Sequence, residues 1–272
     1  MLPADLFRRL DESPDTDFYA MPRLVTHIDD ATIAALTALY RERIPAGARI
    51  LDLMSSWVSH LPADVAYAWV AGLGMNAEEL AHNPRLDERV VHDLNASPTL
   101  PWDDGMFDAV VNAVSIQYLV RPVEVFAEIR RVLRPGGLSI VATSHRMFPT
   151  KAIAAWHSLE PRERLALICR YVELAHGYDE PRVLDRSPAG ATRSGSSSPA
   201  DRSDARLRRL PAGSRSPGTR RCVLRSRDAG AVSAPRAALP QPALGGTCRA
   251  RRAHARPSGR TTSRASSSFR AT

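Results

Sequence analysis

Over residues 1–182, blocks of apolar residues alternate with polar, Pro- and Gly-marked breaks in the order that strands and crossover helices produce. From Asp30 to Arg43 apolar positions recur at Ile33, Leu36, Leu39 and Tyr40, one face of a helix, with Asp29 or Asp30 as cap and Pro45 and Gly47 past its end. Ile50 and Leu51 then read as the end of a short buried strand, closed by Asp52. A second strand is expected at about 67–73; the room before it, interrupted by Pro62, leaves space for a helix of only a turn or two. A third strand near 89–92 ends at Asp93, and a fourth opens the run FDAVVNAVSIQYL at 107–119. VFAEIRRVLRPGG, 125–137, predicts an amphipathic helix ended by Pro135 and a glycine pair, with the strand LSIVATS directly after it. Residues 161–176 predict another amphipathic helix through Leu165, Ile168, Val172 and Leu174, with Cys169 as a small buried hydrophobe. The expected fold class is α/β, a Rossmann-like, doubly wound and mostly parallel sheet.

In such sheets ligands bind outside the carboxyl ends of the strands, which makes Asp52 the first candidate for ligand contact. The alternative is that it caps the turn after its strand. Ser55, Ser56 and Ser59 follow within one loop and offer hydroxyl groups. Beyond the fourth strand, Asn112, Ser115, Gln117 and Tyr118 place polar groups at strand ends that would otherwise be apolar, and are the main candidates for substrate contacts. The run 143–158, TSHRMFPTKAIAAWHS, offers His145, Arg146, Trp156 and His157; His145 is the candidate general base, its plainer reading being a structural or exposed histidine.

The FDAVV strand, the LRPGG turn before the next strand and the acidic end of the first strand resemble the class I S-adenosylmethionine-dependent methyltransferases, and within them the group called methyltransferase type 11. The resemblance covers roughly residues 17–158 and implies S-adenosylmethionine as cofactor, with Asp93 and Leu94 beside the adenine unless Asp93 instead caps its turn; Asp52, Ser55, Ser56 and Asn76 are the further candidate contacts that the residues themselves offer. It also implies that the segment up to residue 29 folds over the pocket as a lid, bringing Tyr19, Arg23 and His27 to the acceptor; the alternative is that Phe18 and Tyr19 pack on the domain. Two departures stand out. The glycine positions after the first strand hold Met54, Ser56 and Val58, and the family's ribose-binding carboxylate aligns with Gly74. Asn76, Glu78 or Glu79 would replace it, unless Asn76 caps a helix. The implied activity is methyl transfer to a small molecule; the alternative is a non-catalytic binding or scaffold protein that keeps the fold.

Charge divides the chain. Residues 1–182 hold 18 Lys+Arg against 25 Asp+Glu, while 183–272 hold 19 against 4, so the basic character belongs to the tail. One of the 16 aromatic residues, Phe269, lies beyond 182, and Arg, Ser, Ala, Pro and Gly dominate there, a composition expected to stay disordered. PRVLD, 181–185, hints at one of the two closing strands of a class I sheet, and no later alternation supplies the last one. The abrupt onset of this composition fits coding sequence read in a shifted frame. Its scattered arginines suit non-specific contact with acidic polymers better than specific nucleic-acid recognition. Cys169, Cys222 and Cys248 show neither metal nor pairing spacing, and without a secretory or membrane-spanning run the expected location is the cytoplasm.

Overall fold

A computed structural model describes residues 2–186 and the backbone of 220–225. Seven strands form one sheet in the order β3-β2-β1-β4-β5-β7-β6. β1 (Arg49–Leu53), β2 (Trp69–Gly74), β3 (Glu88–Val91), β4 (Phe107–Ala113) and β5 (Leu133–Ala142) are parallel to their neighbours. β6 (Arg182–Asp185) and β7 (Arg220–Arg225) close the sheet antiparallel. The α/β, doubly wound architecture expected from the sequence is present.

The helices hold the two faces. α1 (Asp15–Phe18) precedes α2 (Asp30–Arg43), which is capped by Asp29 accepting from the Thr32 N–H at 2.8 Å and buries Leu36, Leu39 and Tyr40. α3 (Ala77–His82) adds Leu80 to the same apolar cluster. On the other face α4 (Pro122–Val132) buries Val125, Phe126, Ile129 and Val132, joined by α5 (Ala154–Ser158) and α6 (Pro161–Ala175). Glu160 and Glu163 form a capping box on α6, and Cys169 packs partly buried against the core. No helix of the described residues is long and apolar enough to cross a membrane.

Three expectations change. The missing last strand is supplied by β7, pairing 221–225 with 138–142 of β5; the remaining residues of the expected disordered tail lie outside the described ones. RRCVLR has a short apolar middle between arginines, so no alternation marks it as a strand. RPGG does not end α4 but lies within β5 as a bulge: Phe107 pairs with Leu133 and Ala109 with Leu138, so 134–137 loop out, with Gly136 at a φ of 74°. Between β1 and β2 there is no helix. Ser55 and Ser59 turn their hydroxyls back onto Asp52 instead of leading into one, and Pro62 interrupts the remainder of the loop.

Candidate functional site

The order in which successive strands are added reverses between the parallel neighbours β1 and β4, the switch point of the sheet, and a cavity of about 650 Å³ opens over the carboxyl ends there. Asp52, on β1 between Gly72 and Val111, stands at its base. Ser55 Oγ and Ser59 Oγ donate to Asp52 Oδ2 at 2.7 and 2.5 Å, and Asn83 Nδ2 supports Ser59 Oγ at 3.0 Å. Burial pushes the Asp52 carboxyl up to about 6 against the downward pull of the two hydroxyls.

The loop after β1 keeps a glycine-like bend without a glycine: Met54 stands at a φ of 58°, where L side chains are strained. It packs so closely on β2 that a Cβ at Gly74 would lie 2.2 Å from the Ser55 carbonyl oxygen. That contact explains why no ribose carboxylate occupies position 74. A carboxylate reaches the cavity from α3 instead. Glu79 accepts from the Arg23 N–H at 2.7 Å and from Ser56 Oγ at 2.5 Å. Asn76 lines the cavity as well, but its oxygen caps α3 on the Glu78 and Glu79 N–H groups, and its amide donates to the carbonyls of Tyr19 and Ala20. Asp93 closes an Asx turn through Oδ1 on the Asn95 and Ala96 N–H groups, beside buried Leu94.

The N-terminal segment forms the opposite wall. Tyr19, Arg23, Val25, His27 and Ile28 line the cavity, held by the Asn76 and Glu79 bonds and by Trp57 Nε1 donating to the Val25 carbonyl at 3.1 Å. Phe148 connects this wall to the turn after β4: its ring stacks on Tyr118 at 5.8 Å and meets Phe18 edge-on at 5.4 Å, and its N–H donates to Tyr118 Oη at 2.8 Å. Burial lowers the His27 pKa, with Arg23 and Arg146 adding to the shift against Glu79, and burial raises Tyr19 and Tyr118. Behind the wall Asp15 is the anchor, paired with Arg9 at 2.7 Å and fully buried Lys151 at 3.3 Å and accepting from Asn95 at 2.7 Å.

Of the residues singled out in the sequence, Asp52, Ser55, Ser56, Asn76, Asp93, Leu94, Tyr19, Arg23, Ser115, Tyr118 and His145 all line this one cavity. Asn112 and Gln117 do not: Asn112 Nδ2 ties β4 to the Leu53 carbonyl at 3.3 Å, and Gln117 Nε2 donates to the carbonyls of Val114 and Arg146. Ser115 Oγ, buried in the wall, has no hydrogen-bond partner. Trp156 is buried outside the cavity, and His157 binds the Pro149 carbonyl. Sequence reasoning missed Trp57, Phe148 and the Asp15–Lys151 anchor; the one signal for the last was that Lys151 is the only lysine in the chain. No group of three His, Cys, Asp or Glu suited to a metal occurs among the described residues.

The donor set suits a ligand rich in N–H and O–H groups with a positive centre. Asp52, Glu79 and Asp93 present carboxylates along β1 to β3, Met54, Leu94 and Leu119 present apolar surface, and the bonds given to Asp52 and Asp93 each use one oxygen. These residues fit S-adenosylmethionine.

Parts of the chain are similar to known proteins. Residues 59–141 match the family model of a methyltransferase domain. Malonyl-[acyl-carrier protein] O-methyltransferase of Marinomonas is 30% identical over 66 residues, 24% of this chain and 24% of that protein, so the chain aligns with about a quarter of this curated relative. Among solved structures, the complex of the Haloferax volcanii Trm112 methyltransferase activator with its methyltransferase contains a similar chain, at 16% identity and a TM-score of 0.50 over 74% of this chain and 92% of that one. An S-adenosylmethionine-dependent methyltransferase of Mesorhizobium loti gives a TM-score of 0.44 at 16% identity, over 71% and 98%. The matched segment, similar to a methyltransferase domain, is thus set in a sheet whose fold is that of the Haloferax chain.

Proposed function

We propose that this chain transfers a methyl group from S-adenosylmethionine to a small-molecule acceptor, with cofactor over β1–β3 and acceptor over β4–β5. The observation that carries this reading is the single cavity across the β1/β4 switch point, with Asp52, Glu79 and Asp93 along one side and Ser115, Tyr118 and His145 along the other. When bound, the cofactor supplies a methyl group on a sulfonium, whose displacement needs positioning more than acid–base help. Asp52 and Glu79 hold hydroxyl and ammonium groups, and Leu94 and Asp93 hold an adenine face and its amine. Tyr118 and Phe148 orient the acceptor, while the Tyr19–Ile28 wall excludes water. His145, exposed at the cavity edge, takes the proton of an acceptor hydroxyl or amine where one must leave.

A second reading, fold without catalysis, is favoured by the loop after β1, which lacks both glycines and a helix and whose serines bond to the protein's own carboxylates. Calorimetric titration of S-adenosylmethionine and S-adenosylhomocysteine into the full chain and Asp52→Ala decides between them. Saturable binding, weakened at least about tenfold by Asp52→Ala, is the expected result. Absence of binding by well-folded protein establishes the second reading.

A further inference from the structure

The β4–β5 end of the cavity gathers two guanidinium groups that make no ion pair with a carboxylate among the described residues. Arg146 follows β5 and lines the cavity. Its side chain is exposed and makes no hydrogen bond or ion pair with any described residue; only its backbone is engaged, N–H to Ser144 Oγ at 3.1 Å and carbonyl to Gln117 at 3.4 Å. Arg23, on the facing wall, donates to two neutral carbonyls, Phe18 at 2.8 Å and Met21 at 3.4 Å, and its guanidinium lies 5.4 Å from the centre of the Phe148 ring. Both charges reach His27 between them, adding to the lowering of its pKa.

The nearby carboxylates have other work. Asp15 is paired with Arg9 and Lys151, and Glu79 accepts from the Arg23 backbone and Ser56. Asp29, the acid whose pKa Arg146 helps to lower, is the N-cap of α2, bonded to the Thr32 N–H. Asp52 and Asp93 belong to the β1 and β3 side. An unpaired guanidinium beside an aromatic wall suits planar oxyanions, because it offers a fork of donors that matches carboxylate and phosphate. Building on the methyl-transfer reading, we propose that the acceptor carries a carboxylate or phosphate on a flat apolar body, the anion held by Arg146 and the body lying against Tyr118 and Phe148.

The test is calorimetric titration of the full chain, with and without saturating S-adenosylhomocysteine, using benzoate, phenyl phosphate and the neutral isostere benzamide. At least one anion is expected to bind about tenfold or more tightly than benzamide. Arg146→Gln should erase that preference and Arg146→Lys should keep part of it, while affinity for S-adenosylhomocysteine stays within about twofold in both. Comparing benzoate with phenyl phosphate tells which oxyanion the site takes. Benzamide binding as well as both anions, no binding by any probe, or a preference that survives Arg146→Gln overturns the proposal. Failure of the methyl-transfer reading shows separately, as absent S-adenosylhomocysteine binding, and leaves the anion preference measurable without it.

Discussion

A carboxyl group at the base of a cavity, buried and held by two serine hydroxyls, carries its own record of cost. The Asp52 pKa of about 6 lies above the ordinary 3.8 because burial outweighs the hydroxyls. Between about pH 4 and 6 the folded chain therefore keeps a proton that the unfolded chain has lost, and this group's contribution to stability declines as pH rises through that window. Below it both states are protonated and the group is neutral in effect; above it the cost is complete, at most about 3 kcal/mol. Asp52→Asn should remove that component, raising the urea midpoint at pH 8 more than at pH 4.5; an equal effect at both values would show that the carboxyl is not strained by burial. Cofactor affinity should run the other way, weakening as pH falls below about 6, because a charged carboxylate is the better partner for hydroxyl and ammonium donors. Asp52 was legible in the sequence because a lone acid ending an apolar run has few other places to go. Asn112 and Gln117 were misplaced because a strand-end amide can serve the backbone as readily as a ligand, and sequence does not show the carbonyls of Leu53, Val114 and Arg146 that claimed them.

At the scale of elements, the wall made by the N-terminal segment depends on one buried cation. Lys151 donates to the Ser13 carbonyl at 2.7 Å, is ion-paired with Asp11 at 3.2 Å and Asp15 at 3.3 Å, and is fully buried. Removing it leaves the buried Asp15 with Arg9 and Asn95 as its remaining partners, and breaking such a buried pair costs roughly 3 kcal/mol. Lys151→Met should lower the urea unfolding free energy by about that amount, with trypsin cleavage at Arg23 becoming faster than in the parent protein. Unchanged cleavage at Arg23 would mean that the wall is held by its aromatic contacts instead. The sequence marked the segment but not its anchor, since the partners lie about 140 residues apart and no local pattern links them. The loop after β1 was misread for a related reason. Its serines look like helix-capping residues until the buried carboxylate that takes their hydroxyls is in view.

For the whole molecule the decisive element is the one that composition concealed. The five parallel strands were legible because each has an apolar stretch between turn signals, even in β3, where Val90 and Val91 follow two charged residues, whereas β7 comes from an arginine-rich stretch. Yet β7 lies between β5 and β6, so each N–H along it faces one neighbour or the other, and a proline anywhere in its middle removes a ladder bond. Val223 pairs with Ile140 on one side and Arg182 on the other. Val223→Pro in the full chain should cost about 3 kcal/mol or more, seen as a lower urea midpoint. It should also promote self-association in sedimentation velocity, because the freed edge of β5 is long and flanked by the buried Leu138, Ile140 and Ala142. A midpoint and sedimentation profile identical to the parent's would mean that β5 is shielded without β7, and that the parallel strands with their helices are sufficient for the cooperative fold.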